Sequence, residues 1–366
     1  MSAYIQHIST TVPDHSYRQK ELREQMKNRV ATTGLHRKLI HQIYSSSGID
    51  TRHSILDDFR QGGKQALYYN GNGDVPGTAA RNNLYKEKAR ILFTETAGKI
   101  IQAGRTPPEK ITHLITISCT GFYAPGPDFD IIRALGLDPA IERYHLGFMG
   151  CYAAISGLKL AFRICNSNPS AEVMVISSEL CTLHFQGGTS TDELISASVF
   201  ADGAAGAVVS ARKPVSGSYF QLRDFASVLS DEGSEDMAWT IGDTGFKMVL
   251  STYIPNILSK NLDSFLETLL SRYRLPMDQI ARWAVHPGGR AILDRIENQF
   301  NLPADSLTYS RKVLSGYGNM SSATVLYVLK EILDEDGPET GAENVLALSF
   351  GPGLTMESAL LSKSRD

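Results

Sequence analysis

The sequence predicts a layered α/β protein. Three observations point there. Strand-like apolar runs alternate with segments of helical periodicity through most of the 366 residues. A composition that is 42% hydrophobic and 20% charged supports a sizeable core, in one large unit or in two units that share it. The strand–helix scheme of the first half also recurs in the second, without a repeat at the level of individual residues. Two related halves are therefore expected, residues 1–215 and 216–366, meeting near the stretch 213–218.

The elements follow in order. Residues 1–7 lead into a strand and turn rather than a secretory leader. Residues 16–110 read as mostly helical, most clearly at 84–101, where apolar residues recur at helical spacing with charges between them. Gly71-Asn72-Gly73-Asp74-Val75-Pro76-Gly77 is a turn-rich loop that lacks the GK[ST] ending of a phosphate-binding loop. A strand over 111–118 ends at Cys119-Thr120-Gly121, and a helix follows over 128–135. The run 151–166 carries Ile155, Leu158, Ala161, Phe162 and Cys165 with few charges, which predicts a helix buried nearly all round. Strands follow at 173–177 and 204–210. In the second half a helix over 252–273 precedes a strand at 281–285 and a helix at 290–298. A glycine-flanked turn at Asn319 then opens a helix over 321–333. Strands at 345–350 and 355–362 flank the turn Gly351-Pro352-Gly353.

Several function classes lose support. The formal net charge is −3 and no Lys/Arg tract is concentrated, so neither nucleic acid nor an anionic membrane surface is an expected partner. No apolar run reaches the roughly 18–20 residues that span a bilayer. Cys119, Cys151, Cys165 and Cys181 are widely spaced with no CxxC. That spacing suggests neither a zinc site nor a disulfide framework, and a reducing cytoplasm is the expected setting.

Three residues carry candidate chemistry. Cys151 starts the long apolar helix; a helix N-terminus and a nearby imidazole would both favour its thiolate, the form that attacks thioesters. It also fits a small buried core residue. His286 precedes Pro287-Gly288-Gly289 at a strand end, which would leave its ring facing a cavity, or satisfied as a structural histidine. Asn319 fits a turn or helix cap as well as an active amide. Together the three divide one task. A thiolate holds an acyl group. Imidazole and carboxamide donors then stabilise the enolate formed when a second thioester loses CO2. No metal-ligand spacing is visible, and no metal or organic cofactor is expected.

The motifs Gly150-Cys151-Tyr152-Ala153-Ala154, His286-Pro287-Gly288-Gly289, Gly318-Asn319-Met320-Ser321-Ser322-Ala323-Thr324 and Ser349-Phe350-Gly351-Pro352-Gly353 together resemble the thiolase superfamily. Within it they resemble the type III polyketide synthases, the chalcone-synthase-like family. Residues 241–246 look closer to bacterial than to plant members. The resemblance implies a thiolase-like fold of two layered α-β-α-β-α halves and a homodimer. It implies Cys151 as acyl carrier, with His286 and Asn319 as the decarboxylation and oxyanion pair. Phe200 and Phe246 would be gatekeepers between the CoA tunnel and the cavity. Gly351 and Pro352 would shape the cavity floor, and Ser321 would line it. Thr120, Cys181 and His184 fall where members vary to set starter, chain length and ring closure. Arg52, Gly288 and Gly289 would meet CoA.

The departures also count. Cys181 and His184 replace the threonines of plant chalcone synthases, which argues against chalcone formation. Ala124 replaces a methionine that in many members reaches across the dimer. The expected activity is thus loading of an acyl-CoA starter, fatty acyl by preference, and its iterative extension with malonyl-CoA to a pyrone, resorcinol or related product. The alternatives are a single-condensation ketosynthase and a non-catalytic thiolase-fold partner subunit.

Overall fold

The computed structural model describes residues 2–59, 67–68, 75–103, 106–335 and 341–365. The turn-rich loop expected at 71–77 lies outside the described residues as far as Asp74.

The first half contains β1 (Ala3–Thr11), β2 (His15–Arg18), α1 (Gln19–Arg29), α2 (Gly34–Ser46), β3 (Thr51–Ser54) and α3 (Thr78–Gln102). It continues with β4 (His113–Ser118), α4 (Pro127–Leu135), β5 (Glu142–Gly147), α5 (Ala153–Ser167), β6 (Glu172–Leu180), α6 (Thr191–Val199) and β7 (Asp202–Ser210). The second half contains β8 (Ser218–Leu229), β9 (Met237–Gly242), β10 (Gly245–Leu250), α7 (Ile254–Leu270), β11 (Arg282–Val285) and α8 (Arg290–Gln299). It ends with α9 (Thr308–Tyr317), α10 (Thr324–Asp334), β12 (Glu343–Gly351) and β13 (Thr355–Arg365).

Nine strands form one sheet in the order β11-β12-β13-β8-β1-β7-β6-β4-β5. The order mirrors itself about the β8–β1 pair. In the first half β1 pairs antiparallel with β7 and β7 antiparallel with β6, and β4 and β5 continue parallel to β6. In the second half β8, β13 and β12 repeat the antiparallel steps and β11 lies parallel to β12. Pairing of Ala3–Ile5 with Phe220–Leu222 joins the halves.

Alternating side chains divide the core into layers, because successive strand residues face opposite sides. Ile115, Ile117, Val173 and Val175 from one half, and Val345, Ala347, Ala359 and Leu361 from the other, all face α5 and α10. Leu114, Met174 and Ile176 face the opposite way, onto α3 and α4. Leu346, Leu348 and Leu360 likewise pack against α7 and α8. The sheet thus wraps two central helices and is itself covered by outer ones, an α-β-α-β-α sandwich. Burial of most of their surface, with Lys159 and Arg163 of α5 reaching outward, explains why α5 and α10 are mostly apolar. A satellite cluster under α1, α2 and α6, with Leu22, Met26, Ile40, Tyr44 and Leu194, stands beside this sandwich.

The segment 16–110, expected to be mostly helical, also contributes the β2–β3 ribbon. The β9–β10 hairpin, with Gly242 paired to Gly245, is likewise a feature that the sequence does not announce.

Candidate active site

Cys151 lies in the turn from β5 to α5. The turn is sharp: Phe148 and Gly150 have φ of 59° and 88°. Phe148 N–H donates to Ser118 O at 3.1 Å, and Gly150 N–H donates to Cys119 Sγ at 2.9 Å. A Cβ added at Gly150 would sit 2.3 Å from Pro352 Cδ, and one at Gly351 would sit 2.6 Å from the Tyr152 ring. Only glycine lets the 351–352 loop close against the nucleophile turn.

The Cys151 thiol is buried, with Ser321 Oγ at 3.5 Å. Burial pushes its pKa up to about 12, and Ser321 offsets only part of this. The sequence suggests a thiol acidified by a helix end and an imidazole. The helix instead begins two residues later, at Ala153, and desolvation outweighs the rest.

His286 caps β11, its N–H donating to Leu348 O at 2.8 Å. The ring is buried, and neither nitrogen has a partner among the described residues. Burial alone lowers its pKa to about 3, so the ring is neutral. Leaving such a buried polar group unpaired costs about 1–3 kcal/mol, a cost that a bound carbonyl or thiol would offset.

Asn319 follows Gly318, whose φ of 74° turns the chain out of α9. Its backbone pairs with Val199 and Ala201 at 2.8 and 2.9 Å, which pins it beside Phe200. Its Oδ1 accepts from Ser321 N–H at 2.9 Å, and its Nδ2 donates to Gly288 O at 3.1 Å. A Cβ built at Gly288 would lie 3.7 Å from His286 Nε2. Thus Cys151, Ser321, Asn319, Gly288 and His286 form one continuous chain of contacts. Gly289 is open, with nothing within 4 Å of an added Cβ, at the rim of this group.

Phe200 and Phe246 are buried. Phe246 lies flat on His184, with centroids 4.2 Å apart and planes 8° apart, and Phe148, Phe122 and Trp239 surround it. Thr120 is buried behind the nucleophile turn and donates its hydroxyl to Glu179 at 2.8 Å. Cys181, His184 and Phe200 line an apolar cavity of about 80 Å³ that extends to Leu22, Met26, Tyr44 and Phe185.

Arg52 is not placed at the surface. It is 7% exposed, and its donors reach Gln19 Oε1, Ala197 O and Phe200 O at 3.0, 2.9 and 2.6 Å. These bonds hold the α6 end and Phe200, and Arg52 lines the cavity just described. Ala124 lies exposed in the turn before α4.

Glu179 is a residue that motif reasoning misses. It is fully buried in β6, accepts from Cys119 N–H at 2.9 Å and from the Ser322 hydroxyl, and burial raises its pKa. It ties the β4 end to the Asn319 turn. A lone acid inside the apolar run 173–180 was the available signal. Among the described residues there is no cluster of three or more metal-ligating side chains, and no helix is long and apolar enough to cross a membrane.

Comparison with known proteins gives the same family along both halves. Residues 2–213 match the family described as chalcone and stilbene synthases, N-terminal domain, and residues 225–364 match the C-terminal domain. The crystal structure of PKS-I from the brown alga Ectocarpus siliculosus superposes with a TM-score of 0.92 at 29% identity, covering 99% of this chain and 98% of that one. The C-terminal type III polyketide synthase domain of Steely1 from Dictyostelium superposes at 0.91 with 24% identity and 99% coverage of both chains, a likeness of fold. The chain therefore belongs to the chalcone and stilbene synthase family and is an acyltransferase of the type III polyketide synthase kind.

Proposed function

We propose that this enzyme loads a fatty acyl-CoA starter on Cys151 and extends it repeatedly with malonyl-CoA. The observation that carries the choice of starter is the apolar cavity beside Phe200 and Cys181. Its walls of Leu22, Met26, Tyr44 and Phe185 suit an alkyl tail, which gains about 0.8 kcal/mol for each CH2 it buries.

The steps follow from the site. As acyl-CoA binds, His286 takes the Cys151 proton onto Nε2 and keeps it, the sulfur attacks the thioester carbonyl, and CoA leaves as its thiolate, to be protonated by solvent. Malonyl-CoA then passes Phe200 and Phe246. His286, holding the former Cys151 proton at Nε2, and Asn319 Nδ2 donate to its thioester oxygen. CO2 departs and the C–C electron pair becomes the enolate. Each such donor is worth roughly 100- to 1000-fold in rate. The enolate carbon attacks the Cys151 acyl carbonyl, the thiolate leaves, and the longer β-ketoacyl-CoA can reload. Cyclisation releases a pyrone, resorcinol or related product. The residues named suffice without a metal or organic cofactor.

Gly289, open at the rim, suits contact with the CoA arm, and Gly288 beside it, packed against Ile292 and His286, brings the backbone close to the same path. A second copy of the chain suits the β5 edge, where residues 142–145 are exposed and Phe122, Phe129 and Tyr144 are each 39% exposed.

The test is mass spectrometry of products from malonyl-CoA with acetyl-, benzoyl- and long-chain acyl-CoAs, with Cys151→Ala as control. Tri- and tetraketides from the long chains support the proposal. Products only from acetyl- or benzoyl-CoA refute the starter, and one condensation with nothing longer makes the enzyme a single-condensation ketosynthase. Retained activity in Cys151→Ala removes the covalent mechanism.

A further inference from the structure

We propose that His184 is a positioning residue for Phe246, fixing the plane of that ring through one flat contact and one hydrogen bond. The inference rests on the gatekeeper reading of Phe246. Three features of the geometry carry it. The His184 and Phe246 rings stack at 4.2 Å with 8° between planes. The backbone N–H of Phe246 donates to His184 Nδ1 at 2.9 Å. On the other side of the ring Nε2 lies 2.8 Å from Thr120 O. Nδ1 accepts, so the proton is on Nε2 and is donated to Thr120.

The clamp is held from outside. Trp239 stands edge-on to both rings, at 5.4 and 5.9 Å, and its indole N–H donates to Cys119 O at 2.8 Å. Gln186 Nε2 donates to His184 O and Phe246 O at 2.8 and 3.2 Å. Cys119 also accepts the Gly150 N–H beside the nucleophile. His184 therefore links the β10 start to the loop under Cys151.

No other side chain offers this combination. Phenylalanine has the face without the acceptor, glutamine has the polar atoms without the face, and tryptophan only donates. Burial holds the His184 pKa down to about 4, so the ring stays neutral and Nδ1 stays an acceptor. A histidine at this position is thus part of the gate, and the cavity wall it presents is secondary.

The experiment compares His184→Phe, His184→Gln and Phe246→Leu with the parent. Cys151 acylation by starter is followed by intact mass, malonyl-CoA decarboxylation by CO2 release, and folding by thermal melting. Both His184 variants should lower kcat for decarboxylation about tenfold, the effect of removing one hydrogen bond or one ring stack near the reacting group. Acylation by acetyl-CoA, whose acyl group is too short to need the cavity wall, should fall much less than decarboxylation, and loss of the buried hydrogen bonds should lower the melting temperature of both variants by a few degrees. A fully active His184→Phe means the residue only fills volume and overturns the proposal. So does parallel loss of acylation, decarboxylation and stability, which marks a general structural role. If Phe246→Leu decarboxylates normally, the gatekeeper reading itself fails. Should the variants not fold, 15N NMR of the parent still decides: an Nδ1–H tautomer of His184 overturns the clamp, and an Nε2–H tautomer upholds it.

Discussion

The two halves of the sheet share strand order and direction but deliver different chemistry. In the first, β4 leads through α4 to an extra strand, β5, and so to the Cys151 turn and α5. In the second, β11 leads through α8 to a helix, α9, and so to the Asn319 turn and α10. The first turn is locked: its glycine has φ of 88° and abuts Pro352. The His286 turn is open: Gly289 has φ of 173° and no neighbour within 4 Å of an added Cβ. On the proposed mechanism, the side that forms the covalent bond is tightly packed, whereas the side that donates to a passing thioester leaves room for it.

The contrast can be broken at either side. The largest effect is expected for Cys151→Ala, which should lower product formation on the order of 1000-fold or more and abolish acylation of the intact protein. His286→Ala and Asn319→Ala should each cost about 100- to 1000-fold in decarboxylation while Cys151 acylation persists in Asn319→Ala. Equal loss of acylation in Asn319→Ala would show that the halves do not divide the work this way.

The third prediction concerns rigidity. Gly150→Ala should destabilise the protein by on the order of 2–4 kcal/mol, from backbone strain plus the clash with Pro352. Gly289→Ala should stay within about 0.5 kcal/mol. Denaturant melts of the two variants measure this directly, and equal effects would dissolve the distinction between locked and open turns.

The smallest effect is on pH. Burial depresses the His286 pKa from 6.5 to about 3. Its contribution to stability is complete above pH 6.5 and is lost as pH falls through the folded value, because the unfolded ring binds the proton first. His286→Asn should therefore lose less stability between pH 7 and pH 4.5 than the parent, as read by thermal melts. Cys151 behaves oppositely in sign. Its folded pKa is raised, so its share is intact below the free-thiol value near 9 and fades as pH climbs toward 12.

Much of this was legible in the sequence, for physical reasons specific to each element. The runs behind β4, β6, α5 and β12 are buried on both faces, so unbroken apolar stretches announce them. Cys151, His286 and Asn319 stood out because each sits in a turn whose glycines permit close approach. The β9–β10 hairpin was hidden because several of its residues, including Thr240, Ile241 and Lys247, are exposed, which leaves little periodic pattern. The surroundings of Arg52 were hidden because an arginine bonded to distant carbonyls looks the same in sequence as one facing solvent. Its partners at 197 and 200 lie about 145 residues away. The Cys151 pKa could not be read at all, since desolvation belongs to the assembled core.

The β1–β8 pairing has a consequence for how substrates travel. It sews the halves into one hydrogen-bonded sheet around the shared helices α5 and α10. A two-lobed enzyme with a hinge can open like a shell and close over a bulky substrate. A sheet continuous across its midline has no such hinge. On the proposed function, cargo would enter end-on, a route that suits a slender pantetheine arm or linear alkyl chain better than a rigid, branched molecule.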